Sequence, residues 1–261
     1  MIGFIGGGNM AEALIKGIVS KGEKIIVAEP REDRRRYLAD TYKVQTTASN
    51  VEALECADIV ILAVKPQIMD EVLAGISGKV RADKTIVSIA AGITLSYLRS
   101  RLKTDRLIRV MPNTPALVQE GMSVLSFYQG LPAEVAAMVI GIFAAVGKTM
   151  VLPEEQINAV TAVSGSGPAF VSFFIEAMIK SGEKMGLTQT EAAELAVQTL
   201  IGTAGLMKAG MPPEDLRKMV TSPGGTTAAG IGVFEEKGLF DLVADALAAA
   251  KKRAEELSSA K

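Results

Sequence analysis

Two hydrophobic rhythms divide this chain. Through the first half, short runs of consecutive apolar residues alternate with stretches whose apolar positions recur every three or four residues. The short runs predict strands at Ile2–Ile5, Lys24–Ala28, Lys43–Thr46, Asp58–Val64, Thr85–Ile89 and Arg106–Val110. The run from Asp58 to Val64 lacks the alternation of a half-solvated strand, which places it in a parallel sheet covered on both faces. Met10, Leu14 and Ile18 share one helical face, with Gly22 ending that helix. Arg31–Asp40, Asn50–Cys56 and a segment opened by Pro66 supply further helices. Strand–helix alternation of this kind predicts an α/β architecture with a doubly wound parallel sheet.

The rhythm breaks at Met111-Pro112-Asn113-Thr114-Pro115. Gly121–Phe127 and Lys148–Leu152 then read as edge strands around a buried apolar helix, Val135–Ala145. Beyond Pro153 only helical spacing remains. Phe170, Phe173, Phe174, Ala177 and Met178 form one apolar face, and helices are expected at about Thr188–Ala209, Pro213–Val220, Thr226–Glu236 and Gly238–Leu257. The expected domains are therefore 1–152, a sheet domain, and 153–261, an all-helical one. The helical half is rich in Ala, Leu and Met and would expose much apolar surface alone, which predicts a helix-mediated homodimer.

Charge and composition remove whole classes of function. Lys and Arg total 28 against 29 acidic residues, so no basic footprint for nucleic acid exists, and Arg34-Arg35-Arg36 reads as a short solvated helix face. The apolar run Val135–Val146 is too short to span a bilayer. The single cysteine, Cys56, excludes an intrachain disulfide, and the chain opens directly on a strand, so the expected compartment is the cytoplasm. Histidine is absent altogether. No His base, Ser-His-Asp triad or His-ligated zinc can form, and no metal site is expected.

Gly6-Gly7-Gly8-Asn9-Met10-Ala11 fits G-x-G-x-x-G/A, follows a strand and opens an amphipathic helix, the context that makes it a dinucleotide turn. Gly6 permits the tight turn, Gly8 leaves room for a pyrophosphate, and the helix N-terminus supplies N–H groups and partial positive charge. Glu29 ends the second strand about twenty residues later, where a carboxylate accepts bonds from ribose hydroxyls and favours NADH. Arg31, with Arg34 and Arg35, could instead hold a 2′-phosphate and favour NADPH. The sequence leaves both cofactors open.

A second glycine loop, Thr221-Ser222-Pro223-Gly224-Gly225-Thr226-Thr227, interrupts the helical half and opens a helix. It is either an anion site of backbone N–H groups and hydroxyls or a common turn with an N-cap threonine. Ser164-Gly165-Ser166-Gly167-Pro168 is either a ligand contact or a flexible hinge, with Pro168 opening the aromatic helix.

Taken in order, these blocks resemble pyrroline-5-carboxylate reductases. Ile2 to Met10, Ala63-Val64-Lys65-Pro66, Met111 to Pro115, Ser164 to Ala169, and Val220 to Thr227 followed by Gly230-Ile231 and Phe234-Glu235 carry the likeness over nearly the whole length. The last block is the most specific. The resemblance implies hydride transfer from NADPH or NADH to the C=N carbon of 1-pyrroline-5-carboxylate, giving L-proline. It implies that Ser222, Gly224, Gly225 and Thr226 hold the substrate carboxylate, the last two through their amides, and that the Thr227 hydroxyl bonds the ring nitrogen as the catalytic residue. It places Gly6, Gly8, Asn9, Met10, Glu29, Arg31, Asn50, Ala63, Val64, Lys65, Pro66, Ala90 and Asn113 at the cofactor. It also implies homo-oligomers through the helical domain, dimers or rings of dimers. Glu29 departs from the family pattern, because NADPH-using members often carry Ser, Thr or Asn there.

The lack of histidine suits this chemistry. A cyclic imine accepts hydride best as its iminium and can arrive already protonated, whereas a ketone needs a proton or electrophilic partner for its developing alkoxide. A β-hydroxyacid dehydrogenase, which would need Lys180 or Lys184 as its catalytic lysine, and a non-catalytic dinucleotide sensor are the competing readings. The Ser222–Thr227 loop speaks against the sensor, which needs no carboxylate site, and Lys180, which follows the Phe/Met face and pairs with Glu176, speaks against the dehydrogenase.

Overall fold

The structure, a computed structural model, describes residues 1–259. Its centre is an eight-stranded sheet in the order β3-β2-β1-β4-β5-β6-β7-β8. In chain order the strands are β1 (Ile2–Ile5), β2 (Ile25–Ala28), β3 (Gln45–Thr47), β4 (Ile59–Leu62), β5 (Thr85–Ser88), β6 (Leu107–Met111), β7 (Gly121–Phe127) and β8 (Gly147–Val151). β1 lies between β2 and β4, with Ile2 level with both Ile25 and Ile59. All pairings are parallel except β6 with β7. The connecting helices are α1 (Asn9–Val19), α2 (Glu32–Tyr42), α3 (Asn50–Cys56), α4 (Met69–Ile76), α5 (Leu95–Leu102) and α6 (Ala133–Ala144).

Strand alternation sorts the core into two layers. Phe4, Val27 and Ile61 pack with Leu14, Ile15 and Ile18 of α1 and with Val139 and Phe143 of α6. Ile5, Ile26, Val60 and Leu62 pack on the other face with Leu54, Leu73 and Leu98 of α3, α4 and α5. Burial of both faces explains why β4 reads as an unbroken apolar run.

The structure departs from the sequence reading in three places. β7 is interior to the sheet, between β6 and β8, so only β8 of that pair is an edge strand. It reads as an edge because it follows two prolines, yet Ser123 and Ser126 in it are buried and only Met122 and Phe127 are partly open. Second, α5 fills a gap left between strands. Its Ser and Arg positions mask its periodicity, and its clearest signal is the cap, where Thr94 Oγ1 accepts the Tyr97 N–H at 3.1 Å. Third, α6 is buried along one side only: Val139 and Phe143 are inside, whereas Met138 is 54% exposed.

The last strand ends at Val151, and the helical part follows. It comprises α7 (Ile157–Val160), α8 (Gly167–Lys184), α9 (Gln189–Lys208), α10 (Pro213–Met219), α11 (Thr226–Glu236) and α12 (Leu239–Ser259). By contacts the chain forms two compact units, Met1–Ser166 with the C-terminal segment from Ala249, and Gly167–Ala248. In the second unit α8 packs along α9, where Gly182 sits so close to Ala192 that a Cβ would come within 2.9 Å of its methyl. The Phe174 and Phe234 rings lie 6.4 Å apart. Phe173, Phe240, Leu242 and Ile201 stay largely exposed. The stretch Glu154–Lys184 is long and apolar enough, by length and composition, to cross a membrane, and little of it is buried.

The fit of α1 against the sheet domain is tight at Gly17, where a Cβ would stand 2.7 Å from Val146 Cγ1 and 3.0 Å from the Ala145 carbonyl oxygen. Alanine gains ~1 kcal/mol in helix propensity, but overpacking against backbone costs roughly 1–3 kcal/mol. The net is a loss of up to ~2 kcal/mol, so Gly17→Ala is expected to lower the thermal midpoint by up to roughly 8 °C. A raised midpoint in calorimetry would show that α1 shifts freely against its neighbours.

Candidate active site

The strand order reverses direction at β1, whose neighbours β2 and β4 lead away to opposite sides of the sheet. In open parallel sheets that crevice, at the carboxyl ends of the strands, is where ligands bind. The glycine turn occupies it. Gly6 has φ +100°, and a Cβ there would lie 2.6 Å from the Ala63 carbonyl oxygen and 2.9 Å from Val64 Cγ1. Only glycine satisfies both the backbone angle and the close approach. Gly8 differs: its φ is −71°, it is exposed, and nothing lies within 4 Å of where a Cβ would be. Its lack of a side chain leaves space on the outer side of the turn, not between packed elements. Gly8 is also the N-cap of α1, and no side chain caps that terminus. Open space above uncapped N–H groups at a helix N-terminus fits the pyrophosphate of a dinucleotide. Asn9 and Met10 begin the helix beside it.

Gly7 is gripped from both sides. Its N–H donates to Glu29 Oε2 at 3.0 Å, and its carbonyl accepts from Arg34 Nε at 2.6 Å. Glu29 is nearly buried, and its other oxygen accepts the Arg31 N–H at 3.1 Å. Arg34 also pairs with Glu12, which accepts bonds from the Tyr37 and Tyr42 hydroxyls. Burial draws the Glu12 carboxyl upward, but the bonds from Arg34, Tyr37 and Tyr42 outweigh it and hold the group below the ordinary carboxylate value. Burial and the Glu12 bond push the Tyr42 phenol up to about 12. Arg35 donates to the carbonyls of Glu29 and Pro30. Arg34 and Arg35 are thus tied into the fold, contrary to the reading of a solvated basic face, and only Arg31 and Arg36 project outward. Glu12 and Tyr42 carry no local motif that would have marked them.

The other residues expected at the cofactor line the same sheet edge. Ala63 follows β4 and donates its N–H to the Ile5 carbonyl at 2.8 Å. Val64, Lys65 and Pro66 run into a short 3₁₀ turn, Pro66–Ile68. Ala90 follows β5 and is buried, its N–H 3.3 Å from Ser88 Oγ. Asn50 begins α3 just beyond β3, behind the Ser49 cap. Asn113 follows β6, and both ends of its amide are engaged: Oδ1 accepts the Met122 N–H at 2.8 Å, and Nδ2 donates to the Ser164 carbonyl and hydroxyl.

In the second unit, the Ser222–Thr227 loop repeats the glycine logic. Gly224 has φ +71°. Gly225 is the N-cap of α11, again with no side-chain cap. A Cβ at Gly225 would stand 2.5 Å from Ser222 Oγ, so glycine lets that hydroxyl fold into the loop. The Gly225 N–H is already donated to the Ser222 carbonyl at 3.0 Å. Free donor capacity therefore passes to the first-turn N–H groups of Thr226 and Thr227 and to the hydroxyls.

If Gly8 is open for a ligand, Gly8→Ala should lower the thermal midpoint by no more than roughly 4 °C, the cost of a poorer N-cap residue, because the added methyl touches no atom among the described residues. It should weaken dinucleotide binding by roughly tenfold or more, the consequence of ~1–3 kcal/mol of steric conflict. Unaltered affinity by titration calorimetry would remove the dinucleotide from this turn.

Comparisons with known proteins bear on both units. Residues 154–257 match the family model described as pyrroline-5-carboxylate reductase dimerisation, and residues 1–92 match that of NADP oxidoreductase, coenzyme F420-dependent. The chain is 41% identical over 261 residues to a pyrroline-5-carboxylate reductase of Synechocystis, covering 98% of this chain and 97% of that one. Against the Escherichia coli enzyme of the same name it is 40% identical, covering 98% of each. Among solved structures, the Coxiella burnetii reductase superposes with TM-score 0.90 at 34% identity over 98% of both chains. The Plasmodium falciparum reductase, with NADP bound, gives 0.87 at 30% identity, covering 98% of this chain and 97% of that one. With relatives of this identity matched end to end, the chain belongs to the pyrroline-5-carboxylate reductase family.

Proposed function

We propose that this chain reduces the C=N bond of 1-pyrroline-5-carboxylate to L-proline with NADPH or NADH, using two glycine-led helix N-termini for two anionic ligands. The observation that carries this reading is the pair itself: α1 opens behind Gly8 and α11 behind Gly225, each without a side-chain cap. The first turn holds the dinucleotide, with Gly6, Gly8, Asn9, Met10, Asn50, Ala63, Val64, Lys65, Pro66 and Ala90 lining its edge of the sheet. The bound nicotinamide supplies hydride. The second loop holds the substrate: Ser222, Gly224, Gly225 and Thr226 surround its carboxylate, with Thr226 N–H the donor that remains after Gly225 closes the turn.

The Thr227 hydroxyl, on the first turn of α11 and half-buried, bonds the ring nitrogen. The substrate arrives as an iminium, so hydride addition at carbon turns the charged C=N into a neutral secondary amine, which then takes a proton from water. No protein acid has to ionise. The loop's task is orientation, which is where most of the achievable rate gain of such a step lies.

Glu29 does not bar NADPH. Each of its oxygens already accepts an N–H, from Gly7 and from Arg31, while the Arg31 guanidinium, its side chain 64% exposed and 3.6 Å from the carboxylate, is the cation offered to a 2′-phosphate. The exposed apolar face of the helical unit, including the membrane-length stretch Glu154–Lys184, is assigned to a second copy of the chain, since the dimerisation family covers those residues. The assembly is a dimer or a ring of dimers, in the cytoplasm, with neither nucleic acid nor membrane as partner. Along the sequence the sheet part is 1–152 and the helical part 153–261, a division drawn just past the last strand, whereas by contacts residues up to Ser166 and the segment from Ala249 belong with the sheet.

The assay runs NADPH and NADH side by side with pyrroline-5-carboxylate, and with 3-hydroxy acids plus the oxidised cofactors. Imine-dependent oxidation of the reduced cofactors is expected, with NADPH at least as effective as NADH and no hydroxy-acid oxidation. Failure with both cofactors contradicts the reading. Thr227→Ala should lose roughly 10–100-fold in kcat/KM, as for one hydrogen bond to a charged group. Full activity in that variant would remove Thr227 from the ring nitrogen.

A further inference from the structure

The segment Ser164-Gly165-Ser166-Gly167-Pro168, glycine-rich and open in sequence, is helical in the structure. Thr161–Gly165 form a π-turn between α7 and α8, with the Ser166 N–H donating five residues back to the Thr161 carbonyl at 2.8 Å. Such turns widen a helix and displace its carbonyls from their usual partners. The α-helical partner of the Ser164 carbonyl is the N–H of residue 168, and that residue is proline, which has none. The partner it finds is a side chain from the sheet. Asn113 Nδ2 lies 3.3 Å from the Ser164 carbonyl oxygen and 3.2 Å from Ser164 Oγ.

Asn113 is itself held. Its Oδ1 accepts the Met122 N–H at 2.8 Å, the second residue of β7. It precedes the 3₁₀ turn Thr114–Val118, which packs against α1, the helix opened by the glycine turn. Beside it the end of β6 presses on the same π-turn, where a Cβ at Gly165 would come within 2.6 Å of Met111 Cε. A single amide therefore joins the cofactor edge of the sheet to the place where the chain leaves the first compact unit.

We infer that Asn113 is a positioning residue: it satisfies the Ser164 carbonyl that Pro168 leaves without its α-helical partner, and so fixes the π-turn against the cofactor edge without touching the cofactor. The contrary expectation, that Asn113 is a cofactor contact, would have to use its second Oδ1 lone pair or its backbone, because both ends of the side-chain amide already bond within the chain. The catalytic consequence rests on the proposed reductase activity; the structural one does not.

Three substitutions, made as four variants of the whole chain, separate the possibilities. Asn113→Asp keeps the acceptor for Met122 and loses the donor to Ser164. Asn113→Ala loses both. Pro168→Ala restores an N–H at residue 168, and is made alone and with Asn113→Asp. For each, three quantities are measured: the Kd for NADPH, kcat and KM for pyrroline-5-carboxylate, and amide hydrogen exchange over residues 157–168. In Asn113→Asp the Kd for NADPH is expected to stay within about twofold, exchange over the π-turn to quicken, and kcat to fall about tenfold, the scale of one hydrogen bond. Adding Pro168→Ala should recover protection and most of the lost kcat relative to Pro168→Ala alone. A Kd weakened tenfold with unchanged exchange would make Asn113 a cofactor contact and overturn the inference. Unchanged exchange and kcat, or no recovery in the double variant, would overturn it too. Should the parent protein fail to turn over the imine, the reductase reading falls, while exchange and NADPH affinity still decide whether Asn113 pins the turn.

Discussion

Where β1 ends, the backbone of Gly6 passes the Ala63 carbonyl so closely that no side chain fits between them. The closeness follows from the sheet. Gly6 N–H donates to the Ala28 carbonyl on one side, and Ala63 N–H donates to the Ile5 carbonyl on the other, both at 2.8 Å. With both neighbouring strands hydrogen-bonded to its end, the chain must leave the sheet in one step, and φ +100° is the conformation that does so. That exit sets the direction of α1, the outward face of Gly8 and the line of N–H groups at the helix start. A side chain at Gly6 would displace all three together.

Charged side chains then hold the turn in place. Gly7 has its donor taken by Glu29 and its acceptor by Arg34, and Arg34 is in turn fixed by Glu12. Hydrogen bonds to charged groups are worth roughly 1.5–3 kcal/mol each, and these are shielded from solvent more than a surface pair would be. This arrangement recasts two residues. Glu29 stands where a ribose-binding carboxylate is expected, yet its first partners are backbone N–H groups of its own chain. Arg34 belongs to a run that reads as surface charge, yet it is only 15% exposed. The proposed cation for a 2′-phosphate, Arg31, is the neighbour of Glu29 that stays exposed.

Much of this architecture was legible in the sequence, because unbroken apolar strands and helical spacing are local signals. The six strands through β6, the glycine turn and the switch to helices after Pro153 all follow from them. The interior position of β7 was not legible, since pairing partners are distant in the chain and the two prolines before it imitate the start of an edge. Nor was α5, whose capping threonine is a weaker mark than an apolar stripe. Ser164–Pro168 was open between a ligand contact and a hinge, because glycine and serine favour turns. In the helical form it takes, its Ser164 carbonyl is bonded by Asn113, fifty-one residues earlier in the chain. The Ser222–Thr227 loop was readable from its residues as either an anion site or a turn, and its proposed substrate role came with the family likeness. The engagement of the Gly225 N–H with the Ser222 carbonyl required the folded geometry.

The central claim is that hydride held at the Gly6–Gly8 edge is delivered to the imine carbon of the substrate. Turnover with NADPH deuterated at the transferable C4 position, followed by mass and NMR analysis of the product, tests it most directly. Proline carrying one deuterium on the former imine carbon, C5, is the predicted result. Proline without deuterium, deuterium at another carbon, or cofactor oxidation with no proline formed would contradict the account.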